Sequence, residues 1–323
     1  MVSRRRALLA IAALGLPDYV VAQRLPRVGY LFSFTRLEGE HLWSACQEGL
    51  REYGYVQGKN IVLEPRWAEG RHERLPALVS DLVNSRVDVI VAAATPASLA
   101  AKAGAGAIPI VMVAVGDPVK VGLVASLRRP GGGITGLTLL TQDLAGKRLQ
   151  LVRDLVGVVK TVGVLLNPAN RVHDVFLEET RTAALALGVT LVIREARGAA
   201  DIGRAFDFTS GTHPDAVIVF DDPVLWSYRR EIVARAAQAR LPVIYGYAEF
   251  VEEGGLASLG PDRPDHYRRS ARYVDSILRG IKPAELPVEQ PTKFELVVNS
   301  SAAHALGITL PPTLLLRADR VLQ

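Results

Sequence analysis

The residues able to act chemically in this chain do not converge on a reaction. Its six histidines (His41, His72, His173, His213, His266 and His304) include no His-x-x-x-His pair, and its one cysteine, Cys46, allows no intrachain disulfide. There is no Gly-x-Ser-x-Gly elbow for an acyl nucleophile. Gly131-Gly132-Gly133 has neither the Gly-x-Gly-x-x-Gly spacing nor the following Lys-Ser/Thr of a phosphate cradle. Glu252-Glu253 adjoin Gly254-Gly255 and read as a solvated turn. These patterns imply no enzyme, no metal site and no cofactor. The remaining polar and aromatic side chains suit non-covalent capture of a small molecule. Ser33, Thr95 and Ser98 bring hydroxyls, and Asn170 can both donate and accept. Asp117 and Asp221 bring carboxylates, while Phe34, Trp226 and Tyr247 offer flat surface to a ring.

Placing those residues together requires a particular order of elements. Short apolar runs alternate with amphipathic segments from Arg27 onward. Strands are expected at 27–34, 60–67, 87–94 and 109–115, with helices at 38–53, 73–85 and 96–105 between them. The near-continuous apolar run from Val87 to Ala94 suits a parallel strand covered on both faces. The rhythm breaks over Gly116–Gly136, which holds Asp117-Pro118 and Pro130-Gly131-Gly132-Gly133. A first passage between lobes is placed just after it, near Gly136–Thr141. A second series follows, with strands at 161–167, 190–195, 216–220, 242–245 and 256–260. Its helices lie at about 143–155, 172–187, 201–208, 225–239 and 265–279. The tail carries a strand at 294–298 and a helix at 300–306. The fold class is therefore α/β, with two lobes built on parallel sheets.

In open α/β sheets a ligand lies beyond the carboxyl ends of the strands. That rule selects Ser33 and Phe34, Thr95 and Ser98, Asp117, Asn170, Asp221 and Tyr247. Thr95 and Ser98 open a helix, where free N–H groups favour a carboxylate; Thr95 is equally suited to capping that helix. Asp117 either faces a cationic group or accepts backbone N–H bonds in an Asp-Pro turn. Asp221 is the chosen partner for a ligand amino group, with capping of the helix near Pro223 by the Asp221-Asp222 pair as the competing role. Trp226 is equally read as ordinary core.

Several blocks, in one order, resemble the ABC transporter substrate-binding family. They are Gly54-Tyr55-Val56-Gln57-Gly58-Lys59-Asn60-Ile61, Arg66-Trp67-Ala68-Glu69-Gly70, Ala92 to Ala97, Gly116-Asp117-Pro118-Val119, Leu166-Asn167-Pro168-Ala169-Asn170, Gln290 to Asn299, and Ala305 to Ile308 followed by Pro311-Pro312. The resemblance implies a type I periplasmic binding protein: two Rossmann-like lobes, joined by three crossings, that close on a ligand. Lobe 1 would take 24–138 and about 261–290, and lobe 2 would take 139–260 and about 291–323. A few members resemble a tryptophan or aromatic amino acid binder, so the expected solute is an amino acid with an aromatic or branched side chain, or a related carboxylate. The expected partners are the permease subunits of an importer, and the protein is expected to be a monomer. Phe32-Ser33-Phe34-Thr35 depart from the small residues frequent at the first strand exit, and Arg171 follows Asn170 where a smaller residue is common.

The N-terminus reads as a secretory signal: Arg4-Arg5-Arg6, an apolar core from Ala7 to Leu16, and a small-residue ending near Ala22. The mature chain is expected in the periplasm. The formal net charge of +5 is scattered, without the clustered basic stripe of a nucleic-acid binder. The same fold serves repressor cores, but a helix-turn-helix head would then precede it. Two further roles are open to a scaffold of this kind, a periplasmic enzyme and a ligand-binding module that feeds a sensor.

Overall fold

The computed structural model describes residues 24–140, 144–207 and 213–323. The expected signal segment, 1–22, lies outside them, as does the far end of the first passage. Strands β1 (Arg27–Phe32), β2 (Val62–Trp67), β3 (Val89–Ala93), β4 (Ile110–Val115) and β5 (Ile134–Thr138) form one sheet in the order β2-β1-β3-β4-β5. All its pairings are parallel. The second sheet holds β6 (Thr161–Leu166), β7 (Thr190–Glu195), β8 (Ala216–Val219), β9 (Val243–Tyr245), β10 (Ala257–Pro261), β11 (Phe294–Asn299) and β12 (Arg320–Leu322). Its order is β12-β11-β10-β9-β8-β6-β7. The run β7-β6-β8-β9-β10 repeats the winding of the first sheet, and β11 is added antiparallel to β10.

Burial explains the strand sequences. β3 and β4 are buried at every residue, as strands covered by helices on both faces must be. Helix Arg36–Glu52 starts at Thr35, whose hydroxyl accepts the Glu38 N–H at 3.3 Å. It packs on helix Arg263–Leu278 so closely that a Cβ at Gly49 would overlap the Arg268 carbonyl oxygen. Cys46 is fully buried in that contact, and burial pushes its thiol well above the ordinary range. Helix Val172–Leu187 ends on Gly188 in the left-handed region, φ 67°.

The chain crosses between the sheets after β5, after β10 and before β11. The crossings are tied to one another. Thr138 N–H donates to Glu289 O at 2.9 Å, Glu289 N–H donates to Gly136 O at 3.0 Å, and the His266 ring lies 3.2 Å from Thr138 O. Several elements go beyond the order expected from sequence. β5 begins at the end of the Gly/Pro-rich stretch expected to be irregular and runs into the expected passage, and it completes the edge of the first sheet against β4. Helices Ala248–Glu252 and Pro312–Arg317, and the edge strand β12, also emerge. The helix expected over 225–239 is divided into Pro223–Ser227 and Arg229–Gln238.

Candidate functional site

Each sheet reverses its winding next to its first strand, between β1 and β3 in one lobe and between β6 and β8 in the other. Such switch points are where open α/β sheets form a crevice. Here the two crevices meet along a seam. Phe34, just past β1, lies edge-on to Trp226 of the other lobe at 5.0 Å between ring centres. A Cβ at Gly70 would come within 3.8 Å of Ser227 Oγ, and Gly116 abuts Val172. Polar contacts also cross the seam: the ion pairs Arg229–Glu38 and Lys120–Glu179, each at 3.1 Å, and a hydrogen bond between His41 and Glu249 at 3.2 Å.

On the lobe 1 wall, Ser33 is fully buried and donates to Ala93 O at 3.3 Å. Phe34 continues an aromatic column in which Phe32 stacks on Trp67 at 4.1 Å. Thr95 lies inside helix Ala94–Gly104 instead of capping it, and its hydroxyl oxygen accepts the Gly116 N–H at 3.2 Å. The Ser98 hydroxyl faces the carbonyls of Ala94 and Ala92 at 3.0 and 3.2 Å. Asp117 Oδ1 accepts the N–H groups of Val119 and Lys120 at 2.9 and 3.0 Å, the Asp-Pro turn geometry. Two non-glycine residues near these strand ends have positive φ, Ala94 at 72°, directly after β3, and Ala114 at 57°, inside β4 where its register with β5 shifts. Such backbone costs about 1–3 kcal/mol and concentrates at binding sites.

On the lobe 2 wall the acids have protein partners. Asp221 receives Arg148 Nη2 at 3.0 and 3.2 Å, in a pair almost entirely removed from solvent. Arg148 Nε adds a bond to Leu259 O at 2.9 Å. A Cβ at Gly246 would overlap Asp221 Oδ1, so only glycine leaves room for the pair. Asp222 caps helix Pro223–Ser227 through Val224 and Leu225 N–H at 2.8 and 3.0 Å. It also accepts the side-chain amides of Asn167 and Asn170 at 3.2 and 2.9 Å. His173 Nδ1 accepts the Asn167 N–H at 2.9 Å, which places its ring proton on Nε2, 3.2 Å from Asp221 O. The ligand-amine role expected of Asp221 thus starts from a carboxylate already neutralised by Arg148.

At the second crossing, Arg263 lies between two rings. Its guanidinium carbon is 4.3 Å from the Trp226 ring centre and 4.2 Å from that of Tyr247. Its Nη1 donates to Glu249 at 2.8 Å. Burial works against the Glu249 carboxylate, but Arg263 and the His41 hydrogen bond outweigh it and bring its pKa down to about 2. Burial also lowers the His72 pKa, against the pull of Asp222.

Six buried side-chain atoms on this seam have no hydrogen-bond partner among the described residues: His72 Nε2, Glu179 Oε2, Trp226 Nε1, Ser227 Oγ, Arg229 Nε and Arg263 Nε. An unmet buried donor or acceptor costs about 1–3 kcal/mol, and native proteins contain few. A cavity of about 490 Å³ opens beside Trp226 and Arg263; its wall also carries Arg229 and Arg320, both paired with acids, and the carboxylates of Glu38, Glu249, Glu252, Glu253, Asp262 and Glu295. That volume is in the range of small-molecule sites. Among the described residues no group of His, Cys, Asp and Glu could hold a metal ion.

The eight residues selected from sequence are all buried and follow strand ends within a few residues, Ser33, Phe34, Thr95, Ser98 and Asp117 in one lobe and Asn170, Asp221 and Tyr247 in the other, and none of them lines the cavity beside Trp226. Sequence reasoning misses Arg148, Asn167, His72, His173, Glu249 and Arg263. Arg263 follows β10 by two residues, so the strand-exit rule itself could have found it. Arg148 and His72 carry no such local signal.

Two similarly wound, mainly parallel sheets, three tied crossings and a seam between switch points make up the type I periplasmic binding protein fold. Residues 40–322 match the ABC transporter substrate binding protein family, and the chain belongs to it. It is similar to a tyrosine-binding protein of Clostridioides difficile (strain R20291), 27% identical over 262 residues that make up 81% of this chain and 75% of the relative. A conserved domain protein of Vibrio cholerae is 30% identical with a TM-score of 0.87, the match covering 92% of this chain and 100% of that one. An ABC domain of Streptococcus pneumoniae solved in complex with L-Trp is 26% identical with a TM-score of 0.86, over 93% of this chain and 100% of that one. Among the described residues no helix is long and apolar enough to cross a membrane.

Proposed function

We propose that this protein is the solute-capturing component of an ABC importer and traps an aromatic amino acid, or a related aromatic carboxylate, between its lobes without altering it. The observation that carries this reading is the concentration of unmet buried polar atoms beside aromatic rings on the seam. A solute there would supply hydrogen-bond partners and ring contacts to both lobes at once. The relatives that bind tyrosine and L-Trp support the solute class.

The mechanism is conformational. Solute docks on one wall, and rotation about the crossings brings up the other. Closure follows only to the extent that the closed form binds solute more tightly. The ion pairs Arg229–Glu38 and Lys120–Glu179 and the His41–Glu249 hydrogen bond would form with closure, and the closed surface is what permease subunits would recognise. Arg4 to Ala22 would direct export and be removed, leaving a monomeric periplasmic protein that begins near Gln23.

A thermal-shift panel of amino acids, aromatic acids and sugars, followed by calorimetry, tests the reading. A true ligand at a hundred times its Kd should add about 2.7 kcal/mol of stability. Stabilisation by tyrosine, tryptophan or an aromatic acid is expected, with a smaller radius of gyration in X-ray scattering. Stabilisation by sugars alone, or turnover of the bound compound, would end it.

A further inference from the structure

Arg263 stands at a lobe crossing, directly after β10 and Asp262. Its guanidinium lies against the rings of Trp226 and Tyr247, and Glu249 takes one of its donors. Its Nε is left without an acceptor although the residue is only 5% exposed. The neighbouring Trp226, at 0% exposure, has an unmet indole N–H. Two dry N–H donors on side chains in contact thus lack the same thing, an acceptor. Both side chains also wall the seam cavity. A carboxylate has two oxygens and accepts only, which suits a guanidinium N–H and an indole N–H together. At the lobe 1 switch point, by contrast, the Ser98 hydroxyl is engaged by Ala92 and Ala94, and the Thr95 oxygen by Gly116.

We infer that Arg263 Nε and Trp226 Nε1 form a carboxylate-binding subsite that reads the acid end of the solute at the second lobe crossing. This rests on the reading of the seam as the solute site. Its consequence is selectivity: an aromatic amine lacking the carboxylate leaves both donors unmet and binds weakly, whatever its ring. Glu249 balances the Arg263 charge, so recognition works through directed hydrogen bonds more than through net charge.

Calorimetry on the mature chain with L-tryptophan and tryptamine, and with L-tyrosine and tyramine, tests it, because each pair differs only by the carboxylate. Wild type should bind the acids more tightly than the amines. Trp226→Phe keeps a ring and loses the N–H; Arg263→Lys keeps a charge near Glu249 and loses Nε. Each should weaken the acids about tenfold, the worth of one hydrogen bond to a charged group, and leave the amines within about twofold. Either variant alone is informative if melting shows that the other does not fold. An acid-to-amine ratio unchanged in both variants overturns this inference while leaving the seam reading in place. So does a wild type that binds amine and acid alike. A wild type that binds no carboxylate among amino acids and aromatic acids overturns both readings together.

Discussion

The two walls of the seam are built on the same winding but by opposite means. The lobe 1 wall is mainly aromatic: Phe32, Phe34 and Trp67 pack ring on ring, its hydroxyls bond to backbone, and its Asp117 is held in an Asp-Pro turn. The lobe 2 wall is charged: Arg148 with Asp221, and Asp222 with two asparagines and a helix end. One wall supplies surface and the other supplies direction. Compensation of Asp221 and Asp222 inside lobe 2 lets that part of the wall stay folded while the lobes are apart, whereas Glu249 and Glu179 also draw partners from lobe 1.

The largest effect should come from breaking that compensation. Arg148→Ala leaves Asp221 buried and unpaired and should cost about 3–5 kcal/mol in urea unfolding. Replacing both partners with apolar residues (Arg148→Met with Asp221→Leu) should recover most of it; a double variant as unstable as the single one would refute the paired-charge account. Phe34→Ala should cost about 3 kcal/mol, as expected of a buried ring, and no change in lobe 2 should restore it. Asn170→Ala removes a bond to the Asp222 carboxylate, worth about 1.5–3 kcal/mol; an unchanged melting temperature would show that Asn167 suffices alone.

Acidity separates the walls in another way. The pKa values of His72 and His266 are lowered by burial, so their neutral forms favour the fold. Their stabilisation is complete above about 6.5 and declines as pH falls below it, because the unfolded chain then binds protons the folded chain does not. Glu249, lowered to about 2, contributes fully above its ordinary 4.5 and loses that contribution between there and about 2. Melting scans from pH 8 to 2 should show both declines, and Glu249→Gln should make only the lower one shallower, since Glu64 also keeps a lowered pKa. The smallest effect belongs to Lys120→Met, at the half-exposed Lys120–Glu179 pair, which should change stability by no more than about 1 kcal/mol and less in high salt.

Much of the fold was readable because parallel strands buried on both faces are apolar throughout, as in β3 and β4. β5 was not, because Ile134-Thr135-Gly136-Leu137-Thr138 has a glycine at its centre and follows three more, so local turn chemistry masks a strand made by its pairing with β4. The strand-exit rule led to Ser33, Thr95, Asp117, Asn170, Asp221 and Tyr247 because topology alone decides where loops converge. It could not reveal partners. Arg148 reaches Asp221 from 73 residues away, and nothing in its helix distinguishes it from a solvated arginine. The unmet donors of Trp226 and Arg263 are a property of the folded seam, visible only when both lobes are present.

Cys46 is the chain's single thiol, sealed between helices Arg36–Glu52 and Arg263–Leu278. A thiol so placed is a built-in clock. The rate at which a chromogenic disulfide reagent modifies it measures how often those two helices part, without any engineered probe. Since helix Arg263–Leu278 also carries the second crossing, a solute that slowed the reaction would reveal how firmly the seam holds down the body of lobe 1.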